Sequence, residues 1–381
     1  MGMTPSALAE AEASAAPTRR LSERFGAAAL VELVVGIHEA GRCVRDPSPT
    51  VLSADACGRP TVVDSDLEAR SDGAVPILGL HELWALMEGE GVRERLEAGR
   101  AYLERRGLEA DLEAALRNHR RRQAERCFGD NRDFKPLQAG GLVWHVRRKL
   151  VRDSHLPVLS NPDRFLGSDS RLLKNGASTT LSIAPGDAIL KRFNLKRYRS
   201  LLKNQFQRSR ARKAFQGAYH LEIFGIPTAR PIAFAEKKLM GLVTKSYLLM
   251  EFIPDTRAVD QFTREWNVED EAARRATASL LGRILGRLHE SGFANRDLKP
   301  RNVIVGQAGD AWIIDLDGVH FKERVNDETR FRNLDRMVRE MREQGSLSVR
   351  DRMRFLRSYV QTAGAGSAGT LFRRLAGAER R

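Results

Sequence analysis

The chain of 381 residues predicts an α+β protein whose strands and helices are segregated along the sequence. Three observations predict it. "RLLKNGASTTLSIA" (171–184) and "GDAILKRF" (186–193) set apolar and β-branched residues around small-residue turns, as hairpins do. From 268 to 290 a proline-free stretch repeats Leu280, Leu281, Ile284, Leu285 and Leu288 at helical spacing. Beyond it come two short apolar strands, "NVIV" and "AWIIDLD", and a remainder that is helical and basic.

The elements follow in order. Residues 1–20 have the composition of a disordered tail, and 24–40 carry a helical pattern ending in "HEAG". "RPTVVDSDL" (59–67) predicts a short strand with acidic residues at its end. Residues 78–126, rich in Leu, Ala, Glu and Arg and free of proline, predict two or three helices, with "HRRRQ" (119–123) a solvated face. Gly140, Gly141, Pro157 and Pro162 mark 129–164 as a loop-rich connection holding one strand, "GLVWHV". After the hairpin, 199–224 predict a helix stopping at Gly225, and "KSYLLMEFI" (245–253) a strand with Leu249 and Met250 in the core. His289 ends the long helix as a structural residue.

Composition bounds the function. Sixty-four Lys and Arg against 49 Asp and Glu give a net charge of +15, which suits a polyanionic partner or an arginine-rich soluble protein. Cys43, Cys57 and Cys127 form no C-x-x-C and the eight histidines no H-x-x-x-H. Neither a disulfide framework nor a His/Cys metal site is indicated, and a reducing cytosol fits. The longest apolar run, "AAALVELVVGI", is too short to span a bilayer and contains Glu32. The N-terminus has no apolar core of a secretory signal, and its match to M-G-x-x-x-[ST] through Gly2 and Ser6 is a weak pattern. A soluble or peripheral protein is expected.

The chemistry concentrates in "NRDLKPRN". Asp297, Lys299 and Asn302 stand in D-x-K-x-x-N spacing, and Asp315 follows 18 residues after Asp297 at the end of an apolar strand. Lys191 lies upstream on a strand after a small-residue turn. Phosphoryl transfer needs such parts: a lysine on nucleotide phosphates, a carboxylate to orient the attacking hydroxyl, and an amide oxygen with a second carboxylate on magnesium.

Together "LLKNGASTTL", "ILKRFN", "SRARKAF", "LEIFGIPTARPIA", "SYLLMEFI", "LHESGFANRDLKPRNVIV" and "IIDLDGV" resemble the protein-kinase-like superfamily over roughly residues 165–360. They are most similar to the bacterial lipopolysaccharide kinases, which phosphorylate Kdo or heptose of the inner core. The resemblance implies a bilobal kinase-like fold, with a small β-rich N-lobe and a helical C-lobe. It implies an ATP- and Mg2+-dependent phosphotransferase acting on a sugar hydroxyl at the cytoplasmic face of the inner membrane. Asp297 would be the catalytic carboxylate, and Lys299 would touch the transferred phosphate. Lys191 would contact the α/β-phosphates, and Asn302 and Asp315 would hold magnesium. Asp317 would add a second metal contact or a structural one. Lys174 to Thr180, including Gly176 and Ser178, would cover the phosphates through backbone N–H groups, and Glu251 to Ile253 would flank the adenine.

The departures are specific. Asn295 replaces the histidine of H-R-D, and Asp315-Leu316-Asp317 replaces D-F-G. The helix that should offer Lys191 a glutamate has Ala214 near that place and Glu222 close to its C-terminal end. No long activation segment follows Asp317, which favours a small or glycolipid acceptor over a protein. A kinase for proteins or other small molecules, and a pseudokinase scaffold, remain open. From Lys191 to Lys213 there are ten Lys/Arg and no Asp/Glu, a surface for anionic headgroups of the inner membrane or a solvated helix face. Nucleic acid is the weaker reading, since Tyr198, Phe206 and Phe215 sit at helical, core-like spacing.

An echo precedes all this. Shifted by 251, residues 38–66 lie over 289–317 without a gap, matching at His38, Glu39, Gly41, Arg45, Asp46, Pro49, Gly58, Asp64 and Asp66. Ser48 stands in place of Lys299 and Val51 in place of Asn302. The expected organisation is a disordered tail (1–20), a degenerate kinase C-lobe-like segment (21–128, an internal repeat of 272–360), a connection (129–164) and a kinase-like catalytic domain (165–381).

Overall fold

The computed structural model describes residues 25–69, 76–167, 171–194, 208–239, 242–264, 271–306, 309–322, 324–343, 348–364 and 366–378. The chain divides into two compact units, Met1–His119 and Arg120–Arg381. The tail expected at 1–20 and residues 195–207 of the basic stretch lie outside the described residues. No helix among the described residues is long and apolar enough to cross a membrane.

The first unit opens with α1 (Ala27–Glu39), then β1 (Arg42–Val44), a 3-10 turn (Pro49–Val51), β2 (Leu52–Ala54) and β3 (Pro60–Val62). A second 3-10 turn (Asp64–Asp66), β4 (Leu67–Ala69), α2 (Pro76–Leu86) and α3 (Val92–Arg106) follow, and the unit boundary falls inside α4 (Leu112–Arg126). β1 pairs with β4 and β2 with β3, both antiparallel. α1 buries Leu30, Val31, Val34, Val35 and Ile37, the spacing of one helical face. They pack with Leu80, Leu83, Trp84 and Tyr102, and truncating one such leucine to alanine costs about 2–5 kcal/mol. A polar clasp crosses this core. His38 Nε2 donates to Glu82 Oε2 (2.8 Å), and its Nδ1 lies 2.8 Å from Tyr102 OH. Glu82 Oε1 accepts from the Val44 N–H (2.8 Å). One buried carboxylate thus ties α1, α2 and β1 together, with Tyr102 adding α3.

The second unit contains a seven-stranded antiparallel sheet in the order β5-β6-β10-β11-β9-β8-β7. Its strands are β5 (Phe134–Ala139), β6 (Leu142–Arg147), β7 (Arg171–Gly176), β8 (Thr179–Ala184), β9 (Ala188–Phe193), β10 (Pro231–Leu239) and β11 (Leu242–Glu251). Short α5 (Leu156–Ser160) precedes β7, and α6 (Arg210–Ile223) packs on β10 and β11. The helical part follows: β12 (Thr256–Ala258), α7 (Val259–Arg264), α8 (Glu271–Glu290), β13 (Phe293–Asn295), a 3-10 turn (Pro300–Asn302), β14 (Val303–Gly306) and β15 (Ala311–Ile313). A 3-10 turn (Leu316–Gly318), β16 (Val319–Phe321), α9 (Asp327–Glu343), α10 (Val349–Ala363) and α11 (Ala368–Ala378) complete it. α8 and α10 touch backbone to backbone: a Cβ on Gly282 would lie 2.3 Å from the Phe355 carbonyl oxygen. This is the two-part, kinase-like α+β architecture the motifs implied.

Two expectations need correction. Residues 129–164 are not merely a connection holding one strand. Gly140 and Gly141, both at positive φ, turn 134–147 into a hairpin whose second strand pairs with β10. Leu142, Trp144 and Val146 face the core in alternation, while Val143 is exposed. Pro136 is tolerated because β5 is an edge strand. The sheet therefore begins well before residue 165. Nor is "HRRRQ" wholly a solvated face, since His119 and Arg120 are buried. The Arg120 guanidinium stacks on the rings of Phe224 (4.4 Å) and Phe321 (4.1 Å).

The elements of the first unit recur in the second. At an offset of 251, β1, the first 3-10 turn and β3 fall on β13, Pro300–Asn302 and β15, and α2 and α9 start together. At 257, α3 falls on α10 end to end, and both close on a left-handed glycine, Gly107 and Gly364. The clasp recurs as well. His289 lies 2.8 Å from Tyr359 OH and 3.0 Å from Asn333 Oδ1, which also accepts from the Asn295 N–H (3.2 Å). The match steps by one residue at the acidic turn, where β4 and β16 are 252 apart.

Candidate active site

The site is built from β9, the β13–β14 loop, the turn after β15 and the first residue of α6. Lys191 lies on β9, an interior strand, with its side chain largely buried. Its Nζ donates to Asp315 Oδ1 (2.7 Å) and Asp317 Oδ1 (3.4 Å) and sits 4.8 Å above the Phe193 ring. Asp315 follows β15 at φ 57°, a left-handed conformation that aspartate tolerates better than most residues. The next turn needs a glycine: a Cβ on Gly318 would meet Asn295 Oδ1 at 2.6 Å and the Asp297 nitrogen at 2.9 Å. That approach sets the Asp315–Asp317 turn against the β13–β14 loop that carries Asp297.

The loop is held from beneath. Asn295 is fully buried at the end of β13, and its Oδ1 accepts from the Asp297 N–H (2.9 Å). This is what the residue replacing the histidine does: it braces the loop backbone. Asn333 Nδ2 donates to the Asn295 carbonyl (3.0 Å), while Asn333 Oδ1 takes the His289 and Asn295 N–H groups. Burial pushes His289 down to about 4 despite its bond to Asn333, so the ring is neutral, accepting from Tyr359 and donating to Asn333.

Above this support, Asp297 meets three partners. Lys299 Nζ is 2.7 Å from its Oδ1, and Arg336 Nη2 of α9 is 3.8 Å from the same oxygen. Asn302 Nδ2 donates to its carbonyl (2.8 Å) and Oδ2 (3.4 Å). Burial opposes the charge on Asp297, but Lys299, Arg336 and Asn302 outweigh it and hold the carboxyl below the usual range. Arg336 also donates to the Arg296 carbonyl, which ties α9 to the loop.

The remaining expected residues are placed as follows. Gly176 faces Thr179 across the turn between β7 and β8. Ser178 lies in that turn, and its carbonyl accepts from the Asn194 N–H (3.1 Å) and Arg210 Nη1 (3.2 Å). Lys174 is exposed on the edge strand β7. The Glu251 carboxylate is taken by Arg230 through two bonds (2.8 and 2.5 Å), so an adenine contact here falls to main-chain groups. The Ile253 carbonyl accepts from Thr256 Oγ1 (3.1 Å). Ala214 is buried, and Glu222 pairs with Arg147 (2.5 Å). Lys191 is therefore held by the aspartates after β15 and not by a helix glutamate. Asp317 is likewise less open than a metal ligand should be, because Lys191 and Arg210 occupy its two oxygens.

Sequence reasoning missed Arg210, Arg336 and Asn333. One signal was available for Arg210: it opens α6, a helix with no acid in its first turn, and a cation is disfavoured there. The described members of the basic stretch are engaged within the protein. Arg192 pairs with Asp163 (2.8 Å), Arg208 with Glu125 (3.0 Å), and Arg212 stacks on Phe128 (4.0 Å). Phe215 is core, while Tyr198 and Phe206 lie outside the described residues.

The oxygen set suits Mg2+, a hard cation that takes carboxylate and amide oxygens and leaves its other positions to water and phosphate. Asp315 is partly exposed, and the amide nitrogen of Asn302 faces Asp297, which leaves its Oδ1 to serve.

Comparison with known proteins adds the following. Residues 188–359 match the model of the lipopolysaccharide kinase (Kdo/WaaP) family. The 3-deoxy-D-manno-octulosonic acid kinase of Vibrio cholerae serotype O1 is 28% identical over 134 residues, 35% of this chain and 54% of that protein. That of Xylella fastidiosa is 28% identical over 140 residues, 35% of this chain and 53% of that protein. The chain thus spans about half the length of the curated relatives it matches. Among solved structures, WaaP in complex with acyl carrier protein aligns at 18% identity and a TM-score of 0.43, over 54% of this chain and 83% of that one. WbdD aligns at 17% identity and a TM-score of 0.34, over 54% and 49%.

Proposed function

We propose, from the match of residues 188–359 to the lipopolysaccharide kinase (Kdo/WaaP) family model, that this chain transfers the γ-phosphoryl group of ATP to a sugar hydroxyl of the lipopolysaccharide inner core. Kdo is the first acceptor to test, because the matched relatives carry the name of its kinase, and heptose the second. The observation that supports the reading is that Lys191 pairs with Asp315 and Asp297 with Lys299 and Asn302, while the close approach of Gly318 to Asp297 sets these two groups side by side.

Each residue then has a task. Asp297, ionised, orients the acceptor hydroxyl and takes its proton as the new P–O bond forms and the bond from the γ-phosphorus to the ADP leaving group breaks. Lys299 turns to the transferred group, and Lys191 to the α/β-phosphates. The backbone around Gly176 and Ser178 covers the phosphates, and main chain at Glu251 to Ile253 borders the adenine. Asn302 and Asp315 would hold Mg2+, which neutralises charge on the phosphates when bound. The work is cytoplasmic and, for a glycolipid acceptor, at the inner face of the membrane, where the basic Lys191–Lys213 stretch is the candidate contact.

The unit before His119 fits a degenerate kinase C-lobe. The recurrent elements and clasp support this, as does what is missing. Ser48 and Val51 replace the lysine and the asparagine, and Asp64 lacks the left-handed backbone of Asp315.

The test is ATP turnover with purified lipid A–core acceptors, comparing the wild type with Asp297→Ala. Acceptor-dependent turnover that falls by about 10²–10⁴-fold in the variant is expected. Equal rates, or no turnover by either protein, would leave a scaffold without catalysis.

A further inference from the structure

We propose that Arg210 is a positioning residue that, from the first residue of α6, holds the Asp315–Asp317 turn against the turn between β7 and β8. The proposal rests on the kinase reading above. Arg210 is the first residue of α6, and its guanidinium touches three separate pieces of the site. Nη2 is bonded to Asp317 Oδ2. Nη1 donates to the Ser178 carbonyl (3.2 Å). The guanidinium carbon lies 4.7 Å from the centre of the Phe193 ring, at the end of the strand that carries Lys191. A planar fork of donors is suited to such bridging, and a lysine at the same place could make fewer of these bonds.

The location argues that this ion pair has a task. The first turn of α6 holds Arg210, Arg212 and Lys213 and no acid, so the helix dipole opposes the charge. The Asp317 carboxylate offsets it, and its two oxygens divide between Arg210 and Lys191. When Lys191 turns to nucleotide phosphates, Asp317 keeps Arg210 as its remaining cation. The turn stays in place, and Asp315 stays aimed at the metal position. Asp317 is then chiefly a tether.

The experiment is calorimetric titration of ATP into the full-length protein, with Mg2+ and with EDTA, alongside thermal unfolding of the free protein. Arg210→Ala should weaken Mg2+-dependent nucleotide binding roughly tenfold, leave binding in EDTA nearly unchanged, and be partly rescued by Arg210→Lys. Asp317→Asn should do the same, and the double variant should be no worse than either single one. Wild-type binding of Mg·ATP with an unaffected Arg210→Ala variant overturns the inference and spares the kinase reading. Equal weakening with Mg2+ and EDTA, or additive losses in the double variant, also overturns it. A wild type that binds no Mg·ATP removes the kinase reading, and the inference with it.

Discussion

At the scale of single residues, the site depends on neutral groups as much as on charged ones. His289 carries no charge, because burial and the nearby Arg330 oppose a second ring proton. The unfolded chain binds that proton below about 6.5, the folded one only below about 4. Stability should therefore fall as pH drops between these values and recover above them, with a total near 3 kcal/mol. Urea unfolding across that window checks it, and His289→Gln should flatten the dependence. A flat wild-type profile would mean that the ring is not held neutral. The candidate site residues Asp297, Lys299, Asn302 and Asp315 were legible because they keep the spacing that the proposed phosphoryl transfer would need. Arg210 and Arg336 were not, since an arginine on a helix has no spacing signature and its partner is decided by folding.

At the scale of elements, long amphipathic helices were read to within a few residues: 268–290 was expected and Glu271–Glu290 is observed. Apolar spacing over several turns leaves few alternatives. The β5–β6 hairpin was read as a connection because it is short, contains Pro136 and gains its partner β10 from about ninety residues away. Glycine in α8 was another silent signal. Gly282 and Gly286 let α10 approach so closely that any side chain must push it away. Gly282→Leu should destabilise the second unit by about 1–3 kcal/mol or more, seen as a Tm lowered by several degrees. An unchanged Tm would mean that α8 and α10 are not packed as described.

At the scale of the whole molecule, the elements and the buried histidine clasp of the first unit recur in the second. The repeat was legible in the sequence from His38 to Asp66, where residues matched, and not in the Tyr102–Tyr359 pair, where six inserted residues hide the correspondence. Folding restored it, because a buried histidine needs both partners wherever it stands. Asp46→Asn should leave ATP turnover unchanged, whereas Asp297→Asn should abolish it. The opposite pattern in a steady-state assay would assign catalysis to the first unit.

The ion pair between Lys191 and Asp315 has one more consequence. The two charges satisfy each other as an internal salt. On the proposed function, loading the site would be an ion exchange in which ammonium passes to phosphate and carboxylate to metal. A metal alone would leave the largely buried Lys191 ammonium with only its longer contact to Asp317. On that reading nucleotide and cation would favour one another's entry, and thermodynamic reciprocity requires that each tighten the other by the same factor.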